Sequence, residues 1–215
     1  MAKQRKVSNM LGLAVLSTVS LRPMHPYEIA SMLRVRGKER DMKIKWGSLY
    51  TVVQNLEKHG FLAVAGSARQ GGRPERTVYR ITDAGREELA DWVRELISVP
   101  EPEFPRFEAG LSVLGVLSPD EATALLQQRL ATLEGQLAEQ RAILQAAGAE
   151  IPRAFLIESE YDLAIREAEA VWVRSLIAEL TDGSFPDLAR WRAFHATGEI
   201  PPEWAELAER GASTD

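Results

Sequence analysis

The residue types that carry out catalysis are sparse in this 215-residue chain, which has three histidines and no cysteine. Without cysteine there are no thiolate nucleophiles, thiolate zinc sites or disulfides, and a reducing cytoplasm is the expected compartment. His25, His59 and His195 stand far apart with no metal-ligand spacing, so no metal site is expected. Glu158, Glu160, Asp162, Glu167 and Glu169 are close in sequence, but their spacing scatters them around a helix as a solvated face. The stretch GSARQGGR (66–73) has the glycines of a phosphate loop, yet Gly72 stands where that loop needs lysine, and a strand pattern follows instead of a helix. No Ser, His and Asp arrangement is readable, so neither an enzyme nor a cofactor is expected.

The chemistry that remains is recognition. In SLYTVVQNLEKHG (48–60) the side-chain amides of Gln54 and Asn55 can each bond adenine twice, and Lys58 can reach guanine or phosphate. Ser48, Tyr50 and Thr51 bring hydroxyls near a helix N-terminus, where the dipole favours phosphate. Lys43 and Lys45 come just before, while Arg69, Arg73 and Arg76 in and after the Gly-rich loop can add phosphate or minor-groove contacts. Any one of these could be plain solvated surface, and Tyr50 and Trp46 serve equally well as core; the argument rests on the face they form together. Charge supports it. Residues 1–80 hold 15 Lys and Arg against 5 Asp and Glu, a net of +10, and residues 81–215 hold 11 against 26, a net of −15, together giving the chain's −5. A basic head on an acidic protein points to an anionic partner, most often nucleic acid. The alternative is a module whose basic face meets an acidic protein without reading DNA.

The elements that position these residues follow from periodicity. Met10, Leu13, Ala14, Leu16 and Val19 mark a first helix, and a signal-peptide reading of this run fails on its Ser and Thr and its missing cleavage site. Pro26, Ile29, Met32 and Leu33 with Gly37 mark a second. Leu49, Val52, Val53 and Leu56 at i, i+3, i+4 and i+7 bury one face of a third, with Ser48 as N-cap and Gly60 as stop. The period then switches: 61–65 and 76–82 are strands joined by the basic loop. Thr82 caps a fourth helix with Leu89, Trp92, Val93 and Leu96 on one face. Helix, helix, helix, strand, strand is a winged helix-turn-helix.

The Pro- and Glu-rich run 98–105 reads as a boundary, giving a DNA-binding domain over 1–97, a helical dimerisation domain over 98–183 and a tail with short helices over 184–215. Phe107 to Leu117 reads as a buried helix, and SPDE (118–121) as a capping box. Two long helices follow. One carries Leu126, Leu130, Leu133, Leu137, Gln140 and Leu144, the other Ser159, Leu163, Arg166, Ala170, Val173, Ile177 and Leu180, at alternating steps of four and three. At about 42 Å each they expose more apolar stripe than one hairpin covers, so a partner is expected along these leucines and their counterparts. The fold class is mainly α with a small β-hairpin wing, ending in long antiparallel helices. No stretch approaches the roughly 20 apolar residues of a membrane span.

With HPYEIASML, GSLYTVVQNLEKHGFL, GGRPERTVYRITDAG and ESEYDLAIREAEAVWVRSLIAEL in this order, the chain from Met10 to Leu180 resembles the PadR family of bacterial transcriptional regulators, in particular its larger members with a helical C-terminal domain. Pro26 stands where members carry glycine, a change the helix start tolerates. The resemblance implies a homodimer with interlocking C-terminal helices that binds a palindromic operator on double-stranded DNA, usually as a repressor. It also implies that a small molecule releases the DNA. An apolar or aromatic effector fits a chain without Cys or clustered His, in a cavity lined by Trp92, Phe107 or Trp172.

Overall fold

The structure is a computed structural model that describes residues 5–38, 42, 44–68 and 76–206, with the backbone alone for Ser67, Ala68 and Arg76. The chain divides into two compact units, Met1–Pro102 and Glu103–Asp215.

In the first unit α1 (Met10–Val19) is the central helix, with eight of its ten residues buried; its N-cap Asn9 accepts the Leu11 N–H. A Cβ at Gly12 would stand 2.8 Å from the Val7 Cγ1, so Val7 would have to shift to admit it, and in ordinary contact, 3.7 Å, with the Trp92 ring. At the start of α2 (Pro26–Val35) the His25 ring accepts the Tyr27 N–H at 3.1 Å and the Glu28 carboxylate accepts the His25 N–H at 2.9 Å. That backbone bond, helped by Arg22, holds the Glu28 carboxyl below the usual carboxylate range. A one-turn 3-10 helix (Trp46–Ser48) leads into α3 (Leu49–Lys58). Ser48 is therefore not the side-chain cap expected of it: the tight turn directs its hydroxyl back to donate to the Lys45 carbonyl at 2.8 Å. Gly60, at φ +77°, ends the helix.

The wing is an antiparallel pair, β1 (Leu62–Ala68) and β2 (Arg76–Ile81), in register Leu62 with Ile81 and shifted by a bulge between Val64 and Gly66. Met24 adds a single bridge to Tyr79, with N–H to O distances of 2.9 and 3.0 Å, so the turn between α1 and α2 is sewn to the hairpin. Thr82 joins three elements, its hydroxyl donating to the Gly60 carbonyl at 2.6 Å and accepting the Gly85 N–H at 3.0 Å where α4 (Asp83–Ser98) begins. Trp92 is buried, but Val93 and Leu96 are each 44% exposed, so the expected α4 stripe is covered only in part. Arg5 braces this helix from the chain start: its guanidinium pairs with Glu88 at 2.5 Å and with Glu95, and lies 5.2 Å from the Trp92 ring centroid.

In the second unit the segment expected as a buried helix is broken. It forms α5 (Arg106–Leu111), which has no buried residue, and a 3-10 turn (Leu114–Val116), leaving Val113 and Val116 exposed. Two glycines, at 110 and 115, weaken any longer helix there. The Ser118 hydroxyl caps α6 (Pro119–Gly148) by accepting the Glu121 N–H at 3.2 Å. An antiparallel return, α7 (Ile157–Asp182), then packs along it. Within one chain the stripes expected to face a partner pack on each other. Leu126, Leu133, Leu137, Ala170, Val173 and Leu180 are buried, and Leu130, Leu163 and Ile177 half-buried, in clusters formed within one chain; Leu144 is also half-buried. The two stripes cover each other. Polar groups flank the seam in cross-helix pairs, Arg129 with Glu169, Arg141 with Glu167, Arg174 with Glu134 and Gln140 with Asp162, which engage Asp162, Glu167 and Glu169 of α7.

What α7 leaves open is its opposite side. Ile157, Tyr161, Ile165, Val171 and Trp172 are between 48% and 68% exposed, with Ala164 and Ala168 exposed among them. A helix apolar on both faces is one built to lie between two others. After Gly183, at φ +85°, the tail forms α8 (Leu188–Thr197), whose Leu188 and Trp191 enter the core of this unit beside Ala122, Leu126, Val173 and Leu180. Among the described residues no helix is long and apolar enough to cross a membrane.

Candidate nucleic-acid interface

The third helix divides cleanly. Leu49, Val52, Val53 and Leu56 are at most 5% exposed and fix α3 onto α1 and α2, while Tyr50, Thr51, Gln54, Asn55 and Lys58 are all exposed on the other side. Tyr50 is 58% exposed, so it belongs to the face, whereas Trp46 is half-buried against the core with the Arg34 guanidinium 4.5 Å from its ring centroid. The side chains of Lys45 and Lys58 make no ion pair among the described residues, which leaves their charge available to an anion. Ser48 is half-buried and turned into its own bond.

Lys43, Arg69 and Arg73 lie outside the described residues, and of Arg76 only the backbone is described, paired with Ala68 in the hairpin. Arg80 on β2 is exposed. On β2 also, burial and the nearby Glu57 raise the Tyr79 hydroxyl above its ordinary pKa, keeping this residue neutral where it bridges to Met24. Sequence reasoning passed over Tyr27, which is 65% exposed in the first turn of α2, and Arg34, also exposed on α2. The signal was present, since both fall off the Pro26, Ile29, Ala30 and Leu33 stripe that α2 buries.

The arrangement is a helix-turn-helix with a hairpin beside it, and its outer helix presents two amides, two hydroxyls and a cation to solvent. Residues 15–91 match the model of the "Transcriptional regulator PadR-like family". Over that span the chain is similar to PadR-like regulators. The Negative transcriptional regulator PadR of Bacillus subtilis (strain 168) is 27% identical over 95 residues, or 44% of this chain, and the match spans about half of that relative, 52%. Among solved structures, Bacillus subtilis PadR in complex with operator DNA has a TM-score of 0.67 at 21% identity, covering 80% of this chain and 98% of that one. The same protein in complex with p-coumaric acid gives 0.66 at 19%, covering 80% and 99%. The Vibrio cholerae virulence activator AphA gives 0.58 at 20%, covering 80% and 98%. At these identities the likeness establishes a shared fold, a winged helix with a long helical C-terminal region. The PadR-like family is one of transcriptional regulators and not of enzymes.

The three aromatics expected around an effector are divided between the two units. Trp92 lies in the first unit, 3% exposed beneath Arg5. Phe107 and Trp172 meet edge to face at 6.2 Å in the second unit, and the Arg129 guanidinium sits 3.7 Å over the Phe107 ring. A groove of about 380 Å³ runs along α6 and α7, lined by Leu125, Gln128, Arg129, Thr132, Leu133, Gln136, Arg166 and Glu169, and none of the three aromatics borders it.

Proposed function

We propose that this chain is a sequence-specific, DNA-binding transcriptional regulator of the cytoplasm. It acts as a homodimer on a palindromic operator, and it represses. The observation that carries this reading is the outer face of α3, where Gln54 and Asn55 stand exposed over a fully packed inner face. Amides held on a rigid helix can read base edges in the major groove, and each bidentate pair is worth about 1–3 kcal/mol of discrimination. Lys45, Lys58 and the basic residues of the wing contribute phosphate contacts that hold register without reading sequence.

Two copies are needed because a palindrome is read by a two-fold protein. The outer stripe of α7 from Ile157 to Trp172, about 22 Å long, supplies the apolar surface for that contact in place of the seam used within the chain. An apolar or aromatic small molecule that favours one dimer geometry releases the DNA, since a ligand indifferent to both states shifts nothing. The test is titration of the protein against duplexes from its own upstream region and their scrambled versions across salt. Preference for one duplex with a steep negative salt slope supports the reading. Equal affinity for all duplexes overturns it.

A further inference from the structure

The tail after Gly183 takes no part in the proposed DNA contact, yet it makes two directed bonds. The 3-10 turn Leu114–Val116 spends the carbonyls of Val113 and Leu114 on its own N–H groups, at 3.1 and 3.0 Å. Pro119 has no N–H to offer, so the carbonyls of Gly115 and Leu117 find no donor at that position. Both donors come from α8. The Trp191 indole N–H donates to the Leu117 carbonyl at 3.0 Å, and the His195 Nε2, which must carry hydrogen to do so, donates to the Gly115 carbonyl at 3.0 Å. Around them Phe185 packs on Trp191 with ring centroids 5.9 Å apart, Phe194 on Trp204 at 5.9 Å, and Arg192 bonds Asp120 at 3.3 Å.

What this grip holds lies within the second unit, where the stretch that follows the covalent path between the units runs into α6. From Val99, where α4 ends, to Pro105 the path contains three prolines, a stiff and extended composition. It then enters α5, which buries nothing fully and is held at Phe107 by Arg129 and Trp172. The tail secures the far end, at Gly115 and Leu117. We propose that the tail is a latch on this connector, with Trp191 and His195 as positioning residues that fix its C-terminal end and thereby the spacing at which two heads meet DNA. The spacing role rests on the DNA-binding reading above; the latch itself does not.

Replacing Trp191 or His195 with Phe keeps a ring in place and removes the N–H. Hydrogen exchange is measured on the full chain for wild type, both single variants and the double variant. The Val116 and Leu117 amides should exchange about tenfold faster in the double variant while the centre of α6 is unchanged. His195→Phe, at a half-buried ring, serves as the variant free of any core defect that Trp191→Phe introduces. Operator affinity is then read on duplexes with half-sites at native spacing and with 2 bp added. A tenfold loosening of one anchor predicts about a fivefold loss at native spacing and a smaller penalty for the added base pairs. Unchanged exchange overturns the latch. Faster exchange with wild-type affinity and spacing preference overturns the positioning role. A wild type that prefers no duplex overturns the proposed function and the positioning role together, with exchange still deciding whether the latch exists.

Discussion

Replacing a glycine with alanine inside a helix ordinarily stabilises it, and two glycines of this chain should respond with opposite signs. At Gly85, in the first turn of α4, a Cβ would stand 2.1 Å from the Phe61 carbonyl oxygen, 3.0 Å from its carbon and 2.9 Å from Ile81 Cγ1. The first is more than an ångström inside an ordinary contact of about 3.5 Å, and it involves backbone, which no rotamer change relieves. To admit the methyl group, α4 must move away from β1. Forced overpacking costs about 1–3 kcal/mol. Losing the Thr82 cap, which accepts the Gly85 N–H itself, adds about 1 kcal/mol. The intrinsic gain of alanine over glycine is about 1 kcal/mol, so Gly85→Ala should destabilise the head by about 1–3 kcal/mol. Gly135, midway along α6, has nothing within 4 Å of the same position, and Gly135→Ala should stabilise its helix by about 0.5–1 kcal/mol. Amide exchange of Val15 and Leu16 in α1, which opens with the head, reads the first, and exchange at the centre of α6 reads the second. A Gly85→Ala protein as stable as wild type would show that the close approach to Phe61 is not there.

Gln54→Ala and Asn55→Ala should each cost about 1–3 kcal/mol on the operator and much less on scrambled duplex, as measured by anisotropy titration. Lys58→Ala should weaken both duplexes by similar factors and lower the salt slope by about one unit per phosphate lost from each half-site. Ile165→Asp on the outer face of α7 should yield monomers in sedimentation with helix content preserved, whereas Leu133→Asp should unfold the hairpin, because that side chain is 6% exposed inside one chain. Glu28 titrates below its ordinary range in the folded head, so its contribution is present above the unfolded carboxylate pKa and is lost as pH falls through the lower folded value. Glu28→Gln should therefore flatten the fall in stability below about pH 4.5 in acid denaturation, by no more than about 0.5 kcal/mol because the side chain is nearly half exposed.

The head was the more legible part because its signals are local. Thr82 and Gly60 announce helix ends through their own local chemistry, a capping hydroxyl and a left-handed backbone, and the β-branched and aromatic run around Val78 and Tyr79 marks β2 within a few residues. The Met24 bridge to Tyr79 has no such mark, since a single pair between distant residues leaves no period. Ser48 misled because a 3-10 turn precedes α3, and the hydroxyl that would cap a helix closes that turn instead. In the second unit the limit is different. Periodicity locates apolar stripes at Leu163, Ala170 and Val173 and again at Tyr161, Ile165 and Trp172, but does not say which stripe meets α6.

The Arg5 brace has a consequence for ionic strength. Its guanidinium is 5% exposed, so mobile ions barely reach its two carboxylate partners, and its stacking on Trp92 is likewise out of their reach. Lys45 and Lys58 face bulk solvent, where added salt competes directly for their charge. One unit thus holds two electrostatic systems with unequal sensitivity to the same variable, a brace that persists in concentrated electrolyte and a reading surface that lets go. Salt should elute this protein from DNA with its head intact, and the dissociation should reverse on dilution.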